Sequence, residues 1–408
     1  MKKLTVLIAV LLLISTVTSL FAFAGGADTP TSSDSSLNAG ASGEGDSSVT
    51  DVLAEFTAES DARSLILIEA ATGTVLYEKN ADAPLPPASV TKVMTMLLVM
   101  EAIDSGKISL DEPVTVSETA ASMGGSQVFL EPGEQMSVHD MLKCVVVSSA
   151  NDACVALAEH ISGSEEAFVA LMNKRASELG MSHTSFENTN GLDDTTVNHV
   201  ISARDISIMS RELITKHEKI LEYTSIWMDS IRDGAFGLTN TNRLIRFYPG
   251  ANGLKTGSTS KAGFCISASA KRGDMQLICV VMGASTRDSR NEIAKKLFDF
   301  GFANFTYESF SPSEPKEIGV VGGSEITLPL TYEGYQMLTD KSNAGKIKEE
   351  IILPEAVSAP IKAGDTVGTV KYTLGDEVLA QIPIKAAKDV NRISFSELLA
   401  KMFKAFIY

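Results

Sequence analysis

Chemistry first concentrates in this chain where a serine stands three residues ahead of a lysine. Ser89-Val90-Thr91-Lys92 follows Pro87-Ala88 and runs into Val93-Met94-Thr95-Met96-Leu97-Leu98-Val99-Met100, a stretch apolar on almost every face. Such a helix belongs in the middle of a domain. Positions i and i+3 share one helix face, so the Lys92 amine can reach the Ser89 hydroxyl. Free N–H groups at a helix start carry partial positive charge and suit an oxyanion. Four residues thus offer a nucleophile, a base and an anion-stabilising field. The pattern is short, and a capping serine beside a solvated lysine would read the same.

Two more clusters lie downstream. Ser149-Ala150-Asn151 separates the apolar runs Met141 to Ser148 and Asp152 to Ile161. Three small polar residues there predict a tight interhelical loop pointing into the domain, although helix caps would use the same residue types. Gly253-Leu254-Lys255-Thr256-Gly257-Ser258 precedes a β-hairpin. At the start of a strand it presents ammonium, hydroxyl and backbone N–H groups along one edge, a set that matches the terminal carboxylate of a peptide. Cys154 falls on an apolar helical face and reads as core. The five His (139, 160, 183, 199, 217) show no metal-ligand spacing, so no metal and no cofactor is expected.

The elements that position these clusters follow from periodicity. Leu65-Ile66-Leu67-Ile68 and Val75-Leu76-Tyr77-Glu78, joined by Ala71-Thr72-Gly73-Thr74, form a hairpin. Residues 114 to about 245 are mostly helical. Phe264 to Ala270 and Met275 to Met282 form a second hairpin, turning at Lys271-Arg272-Gly273-Asp274, and a helix from Asp288 to about Phe302 closes the domain. Hairpin, helices, hairpin, helix implies an α+β domain: an antiparallel sheet assembled from both ends, with a helical lobe between. Cys265 and Cys279 lie roughly across the second hairpin, where a disulfide and two free buried thiols are both open.

Composition bounds the rest. The chain has 408 residues and 35 Lys+Arg against 51 Asp+Glu, a net charge of −16. That balance excludes the basic face a nucleic-acid partner needs. Four Cys are too few for a disulfide framework. Residues 1–24 carry Lys2-Lys3, an apolar Leu4 to Ile14 and a small-x-small Ala22-Phe23-Ala24, the pattern of an export signal. The protein is therefore expected outside the cytoplasm, at the outer face of the membrane or in the cell wall. Residues 25–54 read as a flexible linker. The main α+β domain spans 55–305. Residues 306–388, with runs at Ile318 to Val321, Ile326 to Leu330, Thr366 to Tyr372 and Val378 to Ile384, read as a small all-β domain. In 389–408, Phe395, Leu398, Leu399, Met402, Phe403, Phe406 and Ile407 follow a helical stripe. This amphipathic helix is expected on a membrane surface, with packing on the β domain as the competing reading.

Taken in order, Ser89-x-x-Lys92, Ser149-x-Asn151 and Lys255-Thr256-Gly257 resemble the signature of the penicillin-binding protein and serine β-lactamase superfamily. Asn190-Gly191-Leu192-Asp193 and Gly253-Leu254 bring the chain nearest to the low-molecular-mass D-alanyl-D-alanine carboxypeptidases. The resemblance covers residues 55 to 305 and implies a β-lactamase/transpeptidase-like fold. It implies a serine carboxypeptidase that removes the terminal D-Ala of peptidoglycan stem peptides ending in D-Ala-D-Ala and binds β-lactams covalently. Ser89 would attack, and Lys92, made neutral by burial and by Lys255, would take its proton. Ser149 would pass a proton to the leaving amine. Asn151 would hold substrate and orient Lys92. Lys255, Thr256, Gly257 and Ser258 would form the substrate edge, with the N–H groups of Ser89 and Ser258 as oxyanion hole. Three alternatives remain at this point: a serine β-lactamase, for which Glu187 lies in a suitable region; a penicillin-binding sensor that acylates without turnover; and a metallopeptidase.

Overall fold

The segment Ser64-Leu-Ile-Leu-Ile-Glu69 is buried at all of its positions, a pattern only an internal strand with covered faces can hold. In the computed structural model, which describes residues 60–312 and 317–407, it is β1 (Ser64–Glu69), flanked by β2 (Val75–Lys79) and by a strand from the far end of the domain. β3 (Ala251–Thr259), β4 (Gly263–Arg272) and β5 (Met275–Ala284) complete an antiparallel sheet in the order β2-β1-β5-β4-β3. Both ends of the domain build one sheet, as the hairpin order requires. The expected export signal at 1–24 and linker at 25–54 lie outside the described residues.

Each face of the sheet buries its own cluster. Ile66 and Ile68 face the helical lobe, while Leu65 and Leu67 face α6 (Arg287–Asn304) with Leu297 and Phe298. This is the two-residue alternation of a strand. It also settles the two hairpin cysteines. Cys265 belongs to the lobe side and Cys279 to the α6 side, and both are free. The register explains it: Cys279 opposes Ala268, three residues along from Cys265, and an odd offset changes faces.

The lobe centres on α1 (Lys92–Asp104), where nine of thirteen residues are buried, including Lys92 and Thr95. A 3₁₀ turn at Ala88–Thr91 precedes it, so the α-helix begins at Lys92 and not at Ser89. α2 (Val138–Val147) and α3 (Asn151–Ser162) pack beside it, with α4 (Glu165–Glu178) and α5 (Ala203–Lys216) outside. Asn151 is the first residue of α3, and the connecting loop shrinks to Ser148–Ala150.

From Phe305 the chain turns all-β. The four anticipated runs are strands, at Glu317–Val321, Thr327–Thr331, Thr366–Leu374 and Glu377–Ala386. Four more, at Phe305–Phe310, Tyr335–Asp340, Lys348–Ile352 and Ala356–Ser358, had too little alternation to be read. Lys348-Glu-Glu-Ile-Ile352 is an edge strand, and charge on an edge prevents unwanted pairing. Leu328, Leu330, Val370, Tyr372 and Ile384 form this domain's core.

The C-terminal helix α7 spans Phe395–Ile407. Its Phe395 (80%), Leu398 (45%), Leu399 (43%), Met402 (51%) and Phe403 (62%) are exposed, so this face does not pack on the β domain. Lys401 Nζ instead donates to Ser324 O at 2.6 Å. The side chains of Phe406 and Ile407 lie outside what is described. No helix among the described residues is long and apolar enough to cross a membrane.

Candidate active site

The turn that carries Ser89 is held from three directions. Ala88 sits at φ +48°, a conformation that costs a non-glycine residue about 1 kcal/mol or more. Strand β3 presses on it: a Cβ on Gly257 would come within 2.7 Å of Ser89 N and 2.9 Å of Pro87 O. Gly191, at φ +85°, closes the other side, where a Cβ would lie 1.9 Å from Ala88 O. Beneath the turn, Thr91 Oγ1 donates to Ala88 O at 2.9 Å and lies 2.8 Å from His199 Nε2. Glu187 N donates to His199 Nδ1 at 3.0 Å. A ring accepting at Nδ1 and donating at Nε2 is neutral, and burial pushes its pKa down to about 4. Sequence reasoning missed both Thr91 and His199, because a lone histidine and a threonine inside a motif carry no readable signal.

Lys92 Nζ lies 3.0 Å from Ser89 Oγ, 2.6 Å from Asn151 Oδ1 and 2.8 Å from Asn190 O. The side chain is fully buried and forms no ion pair among the described residues. Burial brings its pKa down to about 8. A neutral amine has two N–H groups and one lone pair. The two carbonyl oxygens take the N–H groups, which leaves the lone pair for the Ser89 hydroxyl. Lys255 is likewise pulled well below its ordinary value, first by burial and then by Lys92 and Arg290. Repulsion between two buried ammonium groups is mutual, so it adds to the burial that favours a neutral amine at this site.

Ser149 occupies the corner between α2 and α3 at φ +61° and is almost fully buried. Asn151 Nδ2 donates to Gly124 O at 2.7 Å, and Asn151 N donates to Ser126 O at 2.7 Å. The Asp152 carboxylate accepts the Val128 and Leu130 amides, each at 3.1 Å. One helix start therefore fixes both Lys92 and the 124–130 loop at the cleft rim.

Lys255 is buried and donates to Thr256 O at 2.7 Å. Thr256 Oγ1 meets Thr241 Oγ1 at 2.7 Å, and Ser258 is exposed. A cleft of about 680 Å³ opens above this strand. Ser89, Ser149, Thr256, Gly257 and Ser258 line it, while Lys92, Asn151 and Lys255 lie beneath its wall. The structure therefore brings the expected residues together, with the two buried lysines behind and the hydroxyls in front. Trp227, Arg243, Phe247, Arg287 and Arg290 also line the cleft, and none was anticipated. They come from loops and a helix start with no motif of their own.

One candidate falls away, and the core reading of Cys154 holds. The Glu187 carboxylate accepts the Val197 and Asn198 amides at 2.8 and 2.7 Å, which ties it to that loop, and it does not line the cleft. Cys154 is buried, its thiol raised by burial, and it donates to Thr189 O at 3.2 Å.

Comparison with known proteins gives the same neighbourhood. The family described as D-alanyl-D-alanine carboxypeptidase, peptidase S11, matches residues 51–286. The penicillin-binding protein 5 C-terminal domain matches residues 310–392. D-alanyl-D-alanine carboxypeptidase DacF of Bacillus subtilis is 47% identical over 84% of this chain and 89% of its own length. The crystal structure of penicillin-binding protein 5 from Haemophilus influenzae superposes with a TM-score of 0.70 at 33% identity, covering 82% of this chain and 98% of that one. Penicillin-binding protein D2 of Listeria monocytogenes, solved in its ampicillin-bound form, has a TM-score of 0.55 at 34% identity and covers 60% of this chain and 98% of its own.

Proposed function

The chain belongs to the D-alanyl-D-alanine carboxypeptidase family, and on that premise we propose how its residues perform the reaction. It is a serine-type D-Ala-D-Ala carboxypeptidase that binds penicillins. The observation that carries the residue assignment is the buried, unpaired Lys92 amine 3.0 Å from Ser89 Oγ. Lys92 takes the hydroxyl proton as Ser89 Oγ bonds to the carbonyl carbon between the two D-Ala residues. The N–H groups of Ser89 and Ser258 receive the oxyanion, a contribution of about 3 kcal/mol for such donors. The C–N bond breaks, and the proton held on Lys92 reaches the departing amine through Ser149 Oγ. Water then loses a proton to Lys92, hydrolyses the ester and restores Ser89. Thr256 and Ser258 hold the free carboxylate, with Lys255 behind them, while Asn151 orients Lys92.

A β-lactam enters the same path and stops at the acyl-enzyme. Among the described residues no Asp or Glu lines the cleft, so none of their carboxylates is poised to drive water onto that ester. This favours a slow-turning penicilloyl-enzyme over β-lactamase action. We also assign the protein to the outer face of the cytoplasmic membrane. The Lys2-Lys3 and Leu4 to Ile14 pattern and the exposed apolar face of α7 support that reading. The deciding experiment is mass spectrometry of diacetyl-Lys-D-Ala-D-Ala after incubation with wild-type protein and with Ser89→Ala. Loss of one D-Ala by the wild type alone is expected. Release by the Ser89→Ala variant would remove Ser89 from the mechanism.

A further inference from the structure

Where the α+β domain passes into the β domain, three segments meet without closing on one another. α6 ends at Asn304 and runs directly into the strand Phe305–Phe310. That strand pairs with Tyr335–Asp340 as a two-stranded ribbon, apart from the six-stranded sheet. The β4–β5 turn, with Arg272 and Asp274, stands against both. A pocket of about 350 Å³ lies between the three and shares no residue with the catalytic cleft. Its size falls among small-molecule sites, which run from about 300 to 1,000 Å³.

The lining grades from rings to hydrogen-bonding groups. Residues 305, 307 and 309 share one face of their strand. Phe305 and Tyr307 pack against the cluster of Leu297 and Phe298. Ser309 continues that face, and Gln336 opposite it donates to Ser309 Oγ at 3.1 Å. Arg272 is held by two rings, with its guanidinium 5.0 Å from the centroid of Tyr248 and 4.5 Å from that of Phe302. Its neighbour Asp299 stays 3.6 Å away and accepts from the Tyr248 hydroxyl instead. The guanidinium therefore donates no side-chain hydrogen bond among the described residues. A stacked guanidinium keeps its N–H edge for a ligand. Lys341 Nζ gives one N–H to Phe302 O at 2.8 Å, and an ammonium carries two more. Asp274 beside them offers acceptors only.

We infer that this junction pocket is a second binding site, which takes one ring of an N-acetylated saccharide chain, the chemistry of the strands from which stem peptides hang. A hexosamine has an apolar ring face, hydroxyls that donate and accept, and an acetamido carbonyl that accepts. Phe305 and Tyr307 meet the first, Ser309, Gln336 and Asp274 the second, and the Arg272 N–H edge the third. A lipid phosphate fits less well, because Asp274 lines the pocket and the chain carries a net charge of −16. The inference rests on the carboxypeptidase reading for the identity of the polymer. Thr256 pairs with Ile266, and Arg272 lies six residues further along β4, about 20 Å of strand. Saccharide and stem peptide therefore do not compete. A strand held at the junction raises the local concentration of stem peptides at the cleft.

The test uses the full-length protein and tetra-N-acetylchitotetraose, titrated by saturation-transfer NMR. The wild type is expected to bind it. Arg272→Ala should raise the Kd about tenfold, and the double substitution Ser309→Ala/Gln336→Ala about fivefold. In parallel, D-Ala release is measured from soluble diacetyl-L-Lys-D-Ala-D-Ala and from isolated peptidoglycan sacculi. Each variant should keep the wild-type kcat/KM on the soluble peptide and lose a similar factor on sacculi. Should Arg272→Ala also lose the soluble reaction, it has disturbed the fold, and the double variant decides. A wild type that ignores the tetrasaccharide, or a Kd unmoved by either variant, overturns the site. So does displacement of the tetrasaccharide by sn-glycerol 3-phosphate, which would make the pocket a phosphate site. If the wild type releases no D-Ala from the soluble peptide, the carboxypeptidase reading fails instead, and the saccharide titration still stands on its own.

Discussion

Gly257 and Ser89 are in backbone contact: a Cβ on Gly257 would stand 2.7 Å from Ser89 N and 2.9 Å from Val90 N. The strand that presents the substrate edge and the turn that presents the nucleophile are therefore one rigid unit. The Ser89 N–H, half of the proposed oxyanion hole, is aimed by this contact.

Gly257→Ala must push β3 off the turn or twist the turn itself. The expected result is a loss of at least about 100-fold in acylation rate, the scale of a displaced oxyanion donor. Overpacking of this kind costs about 1–3 kcal/mol of stability, which a strand inside a five-stranded sheet can absorb. Stopped-flow acylation with a chromogenic cephalosporin, read beside a thermal melt, separates the two effects. Wild-type acylation in the variant would show that the contact is idle.

The pH profile tests the base. Lys92 has a pKa of about 8 through burial, and only its neutral form carries the lone pair. Acylation should rise with pH, about tenfold per unit below the pKa, and level off above it. Lys92→Met, which keeps the length and loses the amine, should abolish covalent penicillin labelling. A profile flat between about pH 6 and 9 would exclude a titrating amine as base.

His199 is expected to act on the nucleophile from a distance, through Thr91 Oγ1 and Ala88 O. His199→Ala leaves the Glu187 amide and the Thr91 hydroxyl short of a partner, a cost of about 1–3 kcal/mol for each buried group. Because the ring touches no reacting atom, the variant should acylate about tenfold more slowly with its pH midpoint unmoved. A shifted midpoint would instead tie His199 to the proton transfer.

How much of this was legible differs by element. Alternation located the hairpins and an unbroken apolar run located α1, because burial dictates those residues directly, while α7 showed itself by its apolar stripe. Ser89, Lys92, Ser149, Asn151 and Lys255 could be named because short spacings force neighbours together on a helix face or a strand. Their convergence is long-range, as in the Asn151 hydrogen bond with Lys92 across 59 residues, and no local pattern contains it. Arg243, Arg287 and Trp227 escaped for the same reason: each is ordinary where it stands in the chain, and only the sheet order collects them. The mutual repulsion of Lys92 and Lys255 also needed the fold, since only the folded chain buries both ammonium groups together.

The last prediction concerns α7. Its exposed Leu399, Met402 and Phe403 have no covering surface among the described residues, and the helix is fixed to the β domain by Lys401 and by the Ile393 amide, which donates to Gly322 O at 2.9 Å. A held helix with an open apolar face should settle into a lipid interface, where each buried side chain contributes about 1.5–3 kcal/mol. The double substitution Leu399→Glu/Phe403→Glu should therefore release the protein from phosphatidylglycerol vesicles in a flotation assay. The same variant should hydrolyse soluble peptide at the wild-type rate, because α7 contributes nothing to the cleft lining. Flotation unchanged by the two charges would place membrane association elsewhere. Flotation lost together with turnover would mean that α7 supports the fold of the whole chain.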